Sequence, residues 1–119
     1  MLNELGIYLR KLRLDNNEIM KDMAKKLSVS TSFLSAVENS KKNIPEKWEE
    51  EISNIYRLDD MQREDLKKSI LYSTDKIIIN LKDLSDEKKE LVFLFKNNLK
   101  YMNDEDEQKL LNILKRKRR

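Results

Sequence analysis

The chain has 119 residues, 39% of them hydrophobic and 39% charged, with one glycine, one proline, no cysteine and no histidine. That length suits one domain, or one compact domain with a small appendage, and scarce turn residues beside abundant Lys, Glu and Leu predict an all-helical protein. Without Cys or His, disulfides and any Cys- or His-based metal or nucleophile site are excluded. The formal net charge is +3, yet residues 1–73 hold 13 basic and 13 acidic residues, against 12 and 9 in residues 74–119. Bulk charge therefore does not argue for nucleic acid; only a local cluster of bases could.

No apolar run approaches the roughly 20 residues that a membrane helix needs. The start, Met1-Leu2-Asn3-Glu4, lacks the basic-then-apolar pattern of a signal peptide. A soluble cytoplasmic protein without membrane contact is expected.

Leu2 to Leu14 reads as a first helix, with Leu5, Leu9 and Leu12 at helical spacing. Gly6 inside it costs about 1 kcal/mol against Ala, which a close approach by another helix would explain. Asp15-Asn16-Asn17 closes the helix. A second helix is predicted from Met20 to Leu27 and a third from Thr31 to Asn39. Met23, Ala24 and Leu27 share one face, as do Phe33, Leu34 and Val37. Ser28-Val29-Ser30 interrupts the rhythm, with Val29 as an apolar plug and Ser30 as a cap. Ala24 supplies the small side chain that a steep crossing of two helices needs.

Ser40 to Ile44 is a basic loop, and Pro45 suits the first position of a fourth helix. Glu46, Glu49, Glu50 and Glu51 follow near its start, where the macrodipole favours acids. Trp48, Ile52 and Ile55 form its apolar stripe, with Trp48 as a core anchor. Asp59 or Asp60 caps a fifth helix carrying Met61, Leu66, Ile70 and Leu71. The seam is placed at Ser73-Thr74-Asp75, dividing residues 1–73 from 74–119.

Lys76 to Leu81 is dense in β-branched residues and reads as a short strand, although its spacing also fits a helix extension. A lone strand must pair, and no second strand is evident. Its own copy in a second subunit is the cheapest partner, so Ile77, Ile78 and Ile79 are expected at a dimer contact. Ser85 caps a sixth helix running to about Tyr101. Its stripe of Leu91, Val92, Phe95, Leu99 and Met102 joins the dimer prediction through Leu91, Phe95 and Leu99. Phe93 and Leu94 lie on the other side, so this helix needs more than one neighbour. Asp104 and Glu107 have the spacing of a capping box for a seventh helix carrying Leu110, Leu111, Ile113 and Leu114. The last two helices are expected to form an oligomerisation or docking hairpin. The terminal Lys115 to Arg119 either complements the helix dipole or adds salt-dependent phosphate affinity.

The run from Leu5 to Leu71 resembles the helix-turn-helix domain of the phage-repressor and xenobiotic-response-element family of bacterial transcriptional regulators. The residues that carry the likeness are Leu9, Leu12 and Arg13, then Asp22 to Leu27 with Val29-Ser30, then Phe33-Leu34-Ser35, Val37-Glu38-Asn39 and Lys41 to Pro45. The resemblance implies a five-helix lambda-repressor-like domain, here followed by the short strand and the C-terminal helical hairpin. It also implies a dimeric repressor of prophage or mobile-element type, bound to an inverted-repeat operator in double-stranded DNA. Three positions depart from the family. Ser28 and Ser40 stand where Gly is usual, which predicts slight strain at positive φ. Ile19 stands where a capping residue is usual.

Mapped onto this chain, the family's usual contacts give Thr31, Ser32, Ser35 and Ala36 as positions facing base edges. Met20, Lys21, Ser30, Asn39, Lys41 and Lys42 become phosphate contacts, consistent with helix starts and lysines binding phosphate. Arg13 and Glu38 are implied to form a buried or half-buried ion pair with a structural role. The base-facing side chains are short, with no Arg, Asn or Gln for bidentate contacts, so specificity would lean on paired half-sites and DNA deformability. Two alternatives stay open: an antitoxin-like protein whose Phe93, Leu94 and Phe95 surface meets a partner, and an inhibitor using the fold for protein contact alone. Catalysis is not expected, because the carboxylates fall on solvent faces and helix starts and a single glycine forms no phosphate loop. No cofactor or metal is expected.

Overall fold

In the computed structural model, which describes residues 1–116, the chain is all-helical. The helices are α1 (Glu4–Asp15), α2 (Met20–Lys26), α3 (Thr31–Glu38), α4 (Trp48–Ile55), α5 (Asp60–Tyr72), α6 (Asp86–Asn98) and α7 (Asp104–Leu114), with a 3-10 turn at Leu99–Tyr101. The chain divides into two compact units, one spanning Met1–Ile77 and the other beginning at Ile78.

The first unit is built round one apolar core. Leu5, Leu9 and Leu12 of α1, Met23 and Ala24 of α2, Leu34 and Val37 of α3, Trp48 and Ile52 of α4 and Leu66 of α5 are all buried, with Leu27 and Leu58 from the connections. Their spacing turns one stripe of each helix inward, and burial of each large side chain contributes about 1.5–3 kcal/mol. Trp48 meets the Phe33 ring edge-on, with centroids 6.2 Å apart and planes at 82°. Ile55, expected in the α4 stripe, is exposed, and Leu58 after the turn fills the core instead. On α5 only Leu66 is buried; Met61 and Leu71 point outward.

Two helix starts in this unit differ from the sequence reading. The first helix starts at Glu4 because the Asn3 side chain accepts from the Gly6 N–H at 2.7 Å. Pro45 lies before α4 rather than at its first position: its carbonyl accepts from the Trp48 N–H at 3.1 Å, closing a turn that delays the helix to Trp48. By contrast Asp59 caps α5 as expected, accepting from Gln62 N at 2.8 Å while the Gln62 side chain returns the bond to Asp59 N.

The ends of α1, α2, α3 and α4 share one device. Asn17, Ser28, Ser40 and Arg57 have φ of 54°, 57°, 61° and 51°. After each, a pair of backbone bonds closes the helix, as in Val29 N to Ala24 O and Ser28 N to Lys25 O at 3.0 and 3.1 Å. This is the Schellman arrangement, usually given to glycine because a Cβ is disfavoured at positive φ. The only glycine serves elsewhere: a Cβ at Gly6 would stand 2.7 Å from the Glu38 carbonyl oxygen. The expected close approach is therefore α3 crossing α1.

The segment 76–81, expected as a strand paired with a second copy or as a helix extension, forms neither in the single chain. Ile77, Ile78 and Ile79 form neither helix nor strand and are exposed. A ladder needs a second strand, and none is present among the described residues. The first unit runs on to Ile77, and Ser73, the last residue of the expected first domain, is tied into it: its hydroxyl accepts from the Leu5 N–H at 2.9 Å.

In the second unit Ser85 caps α6 as expected, accepting from Lys88 N at 3.3 Å. The helix ends at Asn98, and the rest of the expected length is the 3-10 turn. Asn103, not Asp104, caps α7, accepting from Asp106 N at 2.8 Å. No residue of α6, the 3-10 turn or α7 is fully buried. Lys117, Arg118 and Arg119 of the basic terminus lie outside the described residues.

Candidate functional site

The turn between α2 and α3 is local in origin. Ser28 at positive φ ends α2, and Val29, half-buried against the core, anchors the connection. Ser30 then starts α3, its hydroxyl accepting from the Phe33 N–H at 3.0 Å. At the start of α2, Ile19 has no acceptor to offer. Asp22 supplies half of a capping box alone, accepting from the Ile19 N–H at 2.9 Å.

With Leu34 and Val37 buried and Phe33 against Trp48, the opposite face of α3 is left to solvent. Thr31 and Ser32 are exposed, and Ser35 and Ala36 are partly so. These four, together with Met20, Asn39 and Lys41, line one open depression of about 470 Å³. The residues predicted to face base edges thus come together, with three of the six predicted phosphate contacts beside them. Lys21 and Lys42 are exposed but do not line the depression. Ser30 is occupied as a cap. Asn39 also has a structural task, its amide donating to the Ser35 carbonyl at 2.8 Å.

The loop after α3 is held by its backbone. Lys41 N and Lys42 N both donate to the Ala36 carbonyl, at 2.8 and 3.2 Å. This fixes the two lysines near the end of α3 while leaving both ammonium groups in water. The surface is therefore polar, shallow and positively fringed.

Two arrangements hold α3 in place, and a third ties the end of α4 to α2. Arg13 makes a forked contact with Glu38, at 2.6 and 3.2 Å, and both side chains are buried. The paired charge is what makes a buried carboxylate tolerable. Asn3 joins the start of α1 to the end of α3: its backbone N–H donates to the Glu38 carbonyl at 2.8 Å, and its side-chain amide donates to the Val37 carbonyl at 2.8 Å and to the Ser40 hydroxyl at 3.0 Å. Sequence reading missed Asn3, although an Asn directly before an acidic first turn is a capping signal. On the other side, the Tyr56 hydroxyl donates to Glu18 at 2.6 Å. Lys26 pairs with the same carboxylate and lies 5.0 Å from the Tyr56 ring centre. Burial, then the bond to Glu18, pushes the Tyr56 phenol pKa up, so it remains a donor at neutral pH.

No group of three or more acidic, His or Cys side chains suited to a metal ion occurs among the described residues. A second depression of about 420 Å³ lies between α1 and α5, lined by residues including Tyr8, Lys11, Asp65 and Lys68. Its side chains alternate in sign and select no ligand charge. No helix among the described residues is long and apolar enough to cross a membrane.

Comparison with protein-family models, curated proteins and solved structures found no match.

Proposed function

We propose that the chain is a DNA-binding transcriptional regulator of the helix-turn-helix type, with α3 as the recognition helix, acting as a homodimer on an inverted-repeat operator. The observation that carries this reading is the single open face formed by Thr31, Ser32, Ser35 and Ala36 with Met20, Asn39 and Lys41. Lys21 and Lys42, also exposed, flank it in sequence. Phosphates bound by the lysines would set register, while the Thr and Ser hydroxyls and the Ala36 methyl would meet base edges and thymine methyls. Short side chains of this kind discriminate weakly, so the paired half-sites of a dimer would supply much of the specificity. The phage-repressor resemblance of residues 5–71 supports a repressor and a mobile-element setting.

The test is duplex binding across a salt series, using random sequence and the DNA upstream of the chain's own gene. A regulator should favour one duplex and retain that preference at moderate salt. Lys41→Glu with Lys42→Glu should weaken binding to every sequence, and the slope of log K on log salt should fall by about 2 per protomer. Equal affinity of this variant and the parent would remove DNA from the reading. A second reading, protein binding by an antitoxin-like or inhibitor chain, is favoured by the absence of long amide or guanidinium groups on the α3 face and by the exposed Phe93, Leu94 and Phe95.

A further inference from the structure

The described residues of the second unit close no core of their own. Neither α6 nor α7 buries a residue, and Leu91, Leu94, Phe95, Leu99, Ile113 and Leu114 are each between 47% and 72% exposed. At about 100° per residue, Leu94, Leu91 and Phe95 of α6 and Leu99 at the start of the 3-10 turn sweep continuously round one side, and Ile113, Leu110, Leu114 and Leu111 do so round α7. Each arc is about 140–160° wide, more than one neighbouring helix covers.

We propose that the occupant of these faces is a second copy of the same unit, with α7 antiparallel to its counterpart across a two-fold axis and α6 alongside, giving four helices in all. The charge pattern selects both the partner and the direction. Asp104, Glu105, Asp106 and Glu107 occupy the first turn of α7, and Lys115 and Arg116 follow its end. An antiparallel copy sets each acidic start against a basic end, whereas a parallel copy sets acid against acid and base against base. The area agrees. Six such residues, at roughly 100 Å² apiece on each copy, bury about 1,200 Å² in total, the lower bound of a stable interface. This deepens the dimeric part of the proposed function and rests on that part alone, not on the DNA contacts.

The chain has no cysteine, which permits a direct test of direction in the full-length protein without DNA. Asp104→Cys and Lys115→Cys are made separately, mixed, allowed to exchange and oxidised. A disulfide-linked species of twice the 14.3 kDa chain mass should form in the mixture and not in either variant alone. Cross-linking of each variant to itself would overturn the antiparallel arrangement. Sedimentation should give a dimer for the parent at tens of micromolar, and Leu114→Glu should weaken it at least tenfold. Leu114 is exposed within the single chain, so this change leaves helix formation intact. A monomeric parent would overturn the proposal while leaving the Lys41 and Lys42 result standing.

Discussion

Arg13 and Glu38 are joined by two hydrogen bonds across the interior of the first unit, and the Glu38 side chain has no exposed surface. The Arg13 guanidinium also lies 3.4 Å from the Met23 sulfur, so α1, α2 and α3 meet at one charged group. Removing one partner leaves the other charge buried and unpaired, which costs about 3–5 kcal/mol. Arg13→Met and Glu38→Leu made singly should each lower the denaturant midpoint strongly. Combined, they should cost clearly less than the sum, because no charge is then stranded. An additive double variant would show that the two groups do not interact energetically.

Gly6→Ala sets two effects against each other. Helix propensity favours Ala by about 1 kcal/mol, but the new Cβ would stand 2.7 Å from the Glu38 carbonyl oxygen and 3.0 Å from its Cβ. Both atoms sit on α3 and the first belongs to the backbone, so relief requires the two helices to separate. Net destabilisation of about 1–3 kcal/mol is expected, measured by thermal or urea unfolding. Since the displaced helix is α3, the duplex binding proposed for its face should weaken with it.

The helix ends offer the opposite kind of change. Non-glycine residues at positive φ cost about 1 kcal/mol or more, partly offset because Gly has a freer unfolded chain. Arg57→Gly and Ser28→Gly should therefore stabilise by about 0.5 kcal/mol each. Ser40→Gly should gain less, since it loses the hydroxyl that accepts from Asn3 at 3.0 Å. The ranking, read from unfolding midpoints at constant m-value, is the outcome to check.

At Ile19 a β-branched hydrocarbon occupies a capping position. Asp22 already accepts from the Ile19 N–H at 2.9 Å, and a Thr hydroxyl would accept in return from the Asp22 N–H. Ile19→Thr should stabilise by about 0.5–1.5 kcal/mol. Ile19 is exposed, so little apolar burial is lost. Amide exchange in the first turn of α2 should slow in the same variant.

Most of the local architecture is written in the sequence. Periodicity located every helix, Ser30, Asp59 and Ser85 identified their caps, and the family resemblance, with Gly usual at Ser28 and Ser40, implied positive φ at both. These features depend on neighbours within one or two turns, and short-range sterics and hydrogen bonding decide them. The four α3 positions were implied by the family's usual contacts, and local periodicity agrees with them: with Leu34 and Val37 turned inward, Thr31, Ser32, Ser35 and Ala36 turn outward.

Other features needed the folded chain. Propensity marked Ile77, Ile78 and Ile79 as a strand, yet a strand exists only by pairing, and no partner lies among the described residues. Pro45 suits a helix start, but the turn it closes with Trp48 places that start later. Asn3 gained its role from the end of α3, more than thirty residues away. The sequence alone therefore determined which segments are helical and which faces are apolar, because both follow from contacts close along the chain. Tertiary structure decided that Gly6 makes room for Glu38, that Asn3 and Arg13 hold α3, and that seven side chains share one open depression. Those depend on where distant segments meet, a long-range outcome of packing the core.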